Sequence, residues 1–218
     1  MVIGNGLIAS AFSEYEKNER YTIFASGVSD SSCVSQDSFE KEISMIESHF
    51  GTKSRFIYFS SAMLMEKETE YYRHKRRVED LISSNIEDYL IFRLPNIIGK
   101  GGNSKNIFNL FKYKIKNGDK IVAIDSTRSV VDIDDLVKIC EHCFNRSKET
   151  IVLSEIERIG VAELAMAISS EIGIEASIEI SSEKEHVDIK NSPIIDDAIE
   201  ILGIKKEGYT KKTIKKYI

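Results

Sequence analysis

Short apolar runs alternate with helix-patterned stretches along the whole of this 218-residue chain. Apolar, β-prone runs fall at residues 1–3, 21–25, 55–59, 89–94 and 150–153, with further extended segments at 120–124, 130–131 and 176–180. Helical patterns lie between them, from the first glycines to about residue 15 and at 68–83, 107–116, 134–144 and 161–172. The C-terminus also reads as helical. Phe39, Ile43, Ile46 and Phe50 recur at i, i+4, i+7 and i+11, one face of a further helix. Strands separated by helices of this length cannot close hairpins; they pair in parallel, with helices covering both faces. The expected fold is α/β, a doubly wound parallel sheet. Ligands in such sheets sit at the carboxyl ends of the strands, so the strand-to-loop junctions hold the candidate site.

Composition narrows the function classes. Apolar residues make up 42 % and charged residues 30 %, with 2 prolines, so the chain can build a core and no long disordered linker is expected. No apolar run is long enough to span a membrane. The opening MVIGNG has neither the basic nor the apolar region of a signal peptide, and a cytoplasmic location is expected. The net charge of -5 argues against nucleic acid as a partner. Lys205, Lys206, Lys211, Lys212, Lys215 and Lys216 read as a solvated helix face. The 3 cysteines argue against a disulfide framework. Cys140 and Cys143 form a CxxC on a helical stretch, but nothing completes a ligand set, and no metal is expected.

Two motifs carry chemistry. Gly4-Asn5-Gly6-Leu7-Ile8-Ala9 fits G-x-G-x-x-A between a strand and a helix. The first glycine permits the tight turn. The second lets a pyrophosphate approach the backbone, and the small Ala9 lets helix and strand pack. The acidic residue expected about 20 positions on is missing from Phe24-Ala25-Ser26. Either Asp30 substitutes for it, or this is not the usual second strand. The other motif is Tyr71 and Lys75, at i and i+4 on one helix face, with Ser60 and Ser61 closing the preceding strand. A free phenol has a pKa of about 10. An ammonium about 4 Å away favours the phenolate by up to roughly 4 kcal/mol at an effective dielectric of about 20. Such a tyrosine can give or take a proton near neutrality while a hydride moves on carbon. Tyr72 with Arg76 is a competing register.

In this order and spacing, the motifs make the sequence resemble the short-chain dehydrogenase/reductase superfamily. More narrowly it resembles the extended, NAD-dependent epimerase/dehydratase family that acts on nucleotide sugars. Arg93-Leu94-Pro95-Asn96-Ile97-Ile98-Gly99 is similar to the family's R-x-x-N-x-x-G, and the segment from Arg128 to Leu136 to its R-x-F-I-x-V-x-D-hydrophobic run. Ile201-Leu202-Gly203-Ile204 with Tyr209 is similar to its closing L-G-[WF]-x-P-x-[YF].

The resemblance implies a Rossmann-like core over about 1–95 and 120–150, and a substrate lobe over 96–119 and 151–218, within one domain. It implies NAD or NADP as cofactor, with Gly4, Asn5, Gly6, Leu7, Ile8, Ser26, Gly27 and Pro95 lining it. Ser61 would be the catalytic hydroxyl, Tyr71 the acid/base, and Lys75 the partner of the nicotinamide ribose. Asn96 would touch substrate and Arg128 a nucleotide phosphate, while Arg93 is structural; Lys100 and Lys105, on a glycine-rich loop, could reach a diphosphate. The implied activity is reduction or epimerisation of a nucleotide-diphosphate keto-sugar, at C4, in polysaccharide precursor synthesis. A homodimer through the Tyr71 helix is implied as well. Ala62 and Met63 stand where dehydratases carry Asp-Glu, which disfavours dehydration.

The strand at 21–25 resembles the family's fourth strand, so two βα units of the adenosine side are expected to be missing. A non-catalytic nucleotide-binding or scaffold module is the alternative reading.

Overall fold

The computed structural model describes residues 1–218. In chain order its first elements are β1 (Val2–Ile3), α1 (Leu7–Ala11), β2 (Tyr21–Phe24), α2 (Gln36–Glu47), β3 (Arg55–Ser61), α3 (Glu70–Asn85) and β4 (Tyr89–Leu94). There follow β5 (Asn96–Ile98), α4 (Ile107–Asn117), β6 (Ile121–Asp125), β7 (Thr127–Asp132), α5 (Ile133–His142) and β8 (Glu149–Val152). The last are β9 (Arg158–Gly160), α6 (Val161–Ile172), β10 (Ile178–Lys184), α7 (Pro193–Ile201) and α8 (Tyr209–Tyr217).

The main sheet takes β1, β2, β3, β4 and β8 in that order, all parallel. Side chains alternate across it as a period of two requires. Ile23, Ile57 and Leu90 stand side by side and pack with Phe12, Leu136, Ile139 and Ile195. Phe24, Tyr58 and Ile91 point the other way, onto Ile43 and Ile46 of α2 and Val78 and Ile82 of α3. Helices therefore cover both faces, as the alternation of elements implied. Phe50 departs from the expected stripe: α2 ends at Glu47, and Phe50 lies beyond it, 37 % exposed.

β1 is the edge of the sheet, and the strand order never reverses. The strand after α1 is thus the neighbour found on the far side of the switch point in a complete doubly wound sheet. Of the two alternatives left by the missing acid, the topology supports the second. The missing units have a further effect. The β1–α1–β2 and β2–α2–β3 connections step the same way along the sheet, yet α1 packs on one face and α2 on the other. The two crossovers have opposite hands, so one breaks the usual right-handed rule.

Gly4 makes the β1 turn possible. Its φ is +126°, and a Cβ there would lie 2.5 Å from the carbonyl oxygen of Ala25. Gly4→Ala should cost about 2 kcal/mol or more, read as a lower urea midpoint at unchanged m-value.

A second cluster joins Ile98, Phe108, Phe111, Ile115, Val130, Leu164, Ile168 and Ile214. Around it lie the sheets β5-β7-β9 and β10-β6. The lobe borders therefore differ from those expected. Ile121, Ala123 and Val130 belong to the second cluster, whereas Ile195, Ala198 and Ile199 of α7 return to the first. Long-range packing sets these borders, and it leaves no local mark. The C-terminal lysines are not all free either. Lys216 Nζ reaches Asp132 Oδ2 (2.6 Å) and Asp134 Oδ2 (2.7 Å), tying α8 to the start of α5, and Lys206 pairs with Asp196 at 3.1 Å. Cys140 and Cys143 are buried in the first cluster, and burial pushes the Cys143 thiol up to about 11. No helix is long and apolar enough to cross a membrane.

Candidate active site

The carboxyl ends of β1, β2, β3 and β4 open into one cleft of about 1180 Å³. Asn5, Gly6, Leu7, Ile8, Ser26, Gly27, Ser61, Tyr71, Lys75, Pro95, Asn96 and Arg128 all line it. Gly4 is the one expected site residue absent from the lining; it supports the turn from below. Local causes place the rest. β3 runs through Ser61 because RFIYF is β-prone and buried. Thr69 opens α3, so Tyr71 falls in its first turn and Lys75 one turn further, both on its buried face.

Tyr71 is 6 % exposed, and its ring meets that of Tyr72 edge-on at 4.9 Å. Lys75 Nζ lies 5.7 Å from the centre of the Tyr71 ring, but its hydrogen bonds go elsewhere. It donates to Glu42 Oε1 (3.0 Å) and to the Tyr58 hydroxyl (2.8 Å). Glu42, on α2, is buried, and it also accepts from Tyr58 (2.6 Å), His74 Nε2 (2.9 Å) and the Val28 amide (2.8 Å). Burial opposes its ionisation, but the Lys75 charge and these bonds outweigh it and hold the carboxyl at about 2.

This corrects the expected electrostatics. Burial, aided by the charges of Tyr72 and Glu42, pushes the Tyr71 phenol up rather than down. The ammonium expected to acidify it is neutralised by a carboxylate that the local motif does not contain. One signal in the sequence pointed to Glu42. It sits between Phe39 and Ile43 on the buried stripe of α2, where an unpaired carboxylate would be costly. Gly27 accommodates the cluster, since a Cβ there would lie 2.6 Å from Glu42 Oε1 and 2.9 Å from Lys75 Nζ.

The two serines face opposite sides of the sheet. Ser60 shares the Tyr58 face, and its buried hydroxyl has no partner; Ser61 is half-buried at the mouth. Asn96 donates to the backbone carbonyl of Ser129 at 3.2 Å. Arg93 binds Glu79 through both carboxylate oxygens, the structural role expected of it. Arg128 meets Glu185 at 2.6 Å, and Lys67 meets the same carboxylate at 2.5 Å. Burial raises the Glu185 pKa, but the two cations bring it below its usual value. Lys67, unmarked by any motif, therefore stands with Arg128 at one edge of the cleft. Lys105 pairs with Asp30 at 2.5 Å, and Asn103 donates to the Ser29 carbonyl at 3.1 Å. The 100–105 loop is thereby strapped to the loop after β2.

At the glycine loop, α1 begins with Gly6 as its cap but runs for only 5 residues. A Cβ at Gly6 would meet nothing within 4 Å, so the backbone there is open to the cleft.

No family model matches the sequence, and no curated protein matches it. Solved structures do match in fold. RMD from Pseudomonas aeruginosa, complexed with NADPH, superposes with a TM-score of 0.68 at 15% identity, over 90% of this chain and 79% of that one. WbmH from Bordetella bronchiseptica, in complex with NAD+, gives 0.69 at 15% identity, over 97% and 78%. UDP-glucuronic acid 4-epimerase from Bacillus cereus, with UDP-glucuronic acid and NAD, gives 0.70 at 12% identity, over 94% and 75%. The chain thus has the fold of these proteins, a Rossmann-like parallel α/β sheet with a small second lobe.

Proposed function

We propose that this chain is an NAD(P)-dependent oxidoreductase of the short-chain dehydrogenase type, acting on a keto-sugar carried by a nucleotide diphosphate. The observation that carries this reading is convergence: Ser61, Tyr71 and Lys75, from a strand end and one helix face, line the same cleft as the glycine loop. The residues present suit the nicotinamide end of the cofactor, because Gly6 leaves its backbone open while Tyr71, Lys75 and Pro95 stand around the cleft. Bound NAD(P)H would supply the hydride. Ser61 would orient the substrate carbonyl, and Tyr71 would deliver a proton to the oxygen as it becomes an alcohol.

Burial holds the Tyr71 phenol protonated at rest, the state from which it can donate a proton in reduction. Reduction and epimerisation both contain that step, and analysis of the products separates them. C4 as the reacting carbon and polysaccharide precursor synthesis as the setting come from the resemblance alone. A screen of nucleotide keto-sugars against NADH and NADPH, read by loss of nicotinamide absorbance, tests the reading; no turnover with any of them overturns it.

Lys67 and Arg128 form the anion site of this proposal, with Glu185 holding both when substrate is absent. Glu185→Gln should then lower KM for the nucleotide sugar about threefold or more, and Arg128→Ala should raise it about tenfold. Steady-state kinetics at low and high salt would read both. A KM unchanged by either substitution removes Arg128 from the site.

The second reading, a non-catalytic nucleotide-binding module, draws on the neutralised Lys75 and the truncated sheet. Calorimetry separates the two, since an enzyme of the first kind must bind a reduced cofactor. The outward side chains of α2 and α3 include Lys41, Ser44, Arg73, Arg77 and Asp80, all exposed. Such a polar surface lends no support to the homodimer implied by the resemblance, and a sedimentation run would decide the matter.

A further inference from the structure

A doubly wound nucleotide-binding sheet places the two halves of a dinucleotide on either side of the point where strand order reverses. The adenosine half lies against strands beyond the first, where a carboxylate meets its ribose hydroxyls or an arginine its 2′-phosphate. In this chain β1 is the last strand, and no strand lies beyond Val2–Ile3 to carry either group. Asp30, the first acid after β2, is engaged instead by Lys105 (2.5 Å) and by the Ser32 hydroxyl (2.6 Å). On the β1 side Asn5, Gly6 and Ser10 are exposed. On the other side of β1 the cleft is walled by Ser61, Tyr71, Lys75 and Pro95. The protein encloses one end of such a ligand and leaves the other in water.

We propose that the chain binds only the nicotinamide–ribose–phosphate half of a reduced nicotinamide nucleotide, so that the mononucleotide NMNH serves as well as NADH or NADPH. This rests on the oxidoreductase reading above and states its cofactor class. A group that stays solvated in the complex buries no surface and adds no affinity. The adenosine is such a group here. The 2′-phosphate that separates NADPH from NADH hangs on the same adenosine and meets no side chain. Indifference between the two dinucleotides follows from the same geometry as indifference to adenosine itself.

The test is a calorimetric titration of the intact chain with NMNH, NADH, NADPH and AMP in one buffer. The expected result is three dissociation constants within about tenfold of one another, a spread of about 1.4 kcal/mol, and an NMNH titration unchanged by a large excess of AMP. A preference of more than tenfold for either dinucleotide, or displacement of NMNH by AMP, overturns the proposal and leaves the oxidoreductase reading standing. Binding of none of the three up to millimolar concentration overturns both.

Discussion

Tyr71→Phe should reduce turnover by about a thousandfold while leaving binding of reduced nicotinamide nucleotides nearly unchanged. The substitution removes one oxygen from a side chain that is 6 % exposed and lines the cleft. The ring keeps its edge-on contact with Tyr72 and its place over Lys75. No hydrogen bond of the fold involves the Tyr71 hydroxyl, so the melting temperature should hold. The informative pattern is loss of kcat with retained affinity and stability. Tyr72→Phe is the control for the competing register and should keep most of the activity. Because burial raises the Tyr71 pKa, the phenol is protonated across the neutral range. Reductive turnover should therefore show no tyrosine limb between about pH 6 and 9. Full activity in the Tyr71→Phe protein would remove the acid role from this residue.

The second large effect belongs to Glu42. Its carboxylate answers the buried ammonium of Lys75 at 3.0 Å and is itself almost wholly enclosed. Glu42→Gln leaves that ammonium without its counter-charge, and breaking a buried pair from one side costs about 3–5 kcal/mol. Linkage gives an independent check. The group falls from 4.5 to about 2 on folding, so the folded state holds its proton less tightly than the unfolded one. A depressed carboxylate contributes stability that is fully present above the unfolded value. That stability is lost as the pH falls from about 4.5 toward 2, roughly 3 kcal/mol in all. Urea unfolding at neutral pH and near pH 3 should show the difference between wild type and Glu42→Gln shrinking as the medium is acidified. A difference that stays constant over that window would mean the carboxylate is not the charged partner. Activity should fall as well, since Lys75 would lose the carboxylate that holds it beside Tyr71.

Much of the molecule is legible in local pattern. Helix α6 occupies Val161–Ile172, and β4 occupies Tyr89–Leu94, as their periodicity implies. Asn117 and Gly118 stop α4 where turn chemistry says they should. The strand-end serines and the i, i+4 pair Tyr71 and Lys75 are read along the chain itself, while the resemblance chose Ser61 over Ser60 and Tyr71 over Tyr72. The shortened sheet was implied by the resemblance of the strand after α1, with its small closing residues, to the family's fourth strand. What could not be read is which charged groups share a buried volume. Glu42 and Lys75 are 33 residues apart, and Arg128 and Glu185 are 57 apart. Both pairings are created by packing α2 on α3 and by bringing the end of β10 to β7.

Sequence alone determined the order of strands and helices, the parallel class of the sheet and the placing of a serine pair at a strand end and a Tyr-x-x-x-Lys pair on one helix face. These follow from side-chain periodicity and turn propensity, which act over a few residues. Tertiary structure decided the charge state that the cleft imposes on Tyr71, the pairing of Arg128, and the absence of any wall beyond β1. A pKa depends on every charge and every missing water within several ångströms, and that neighbourhood exists only once distant segments have met.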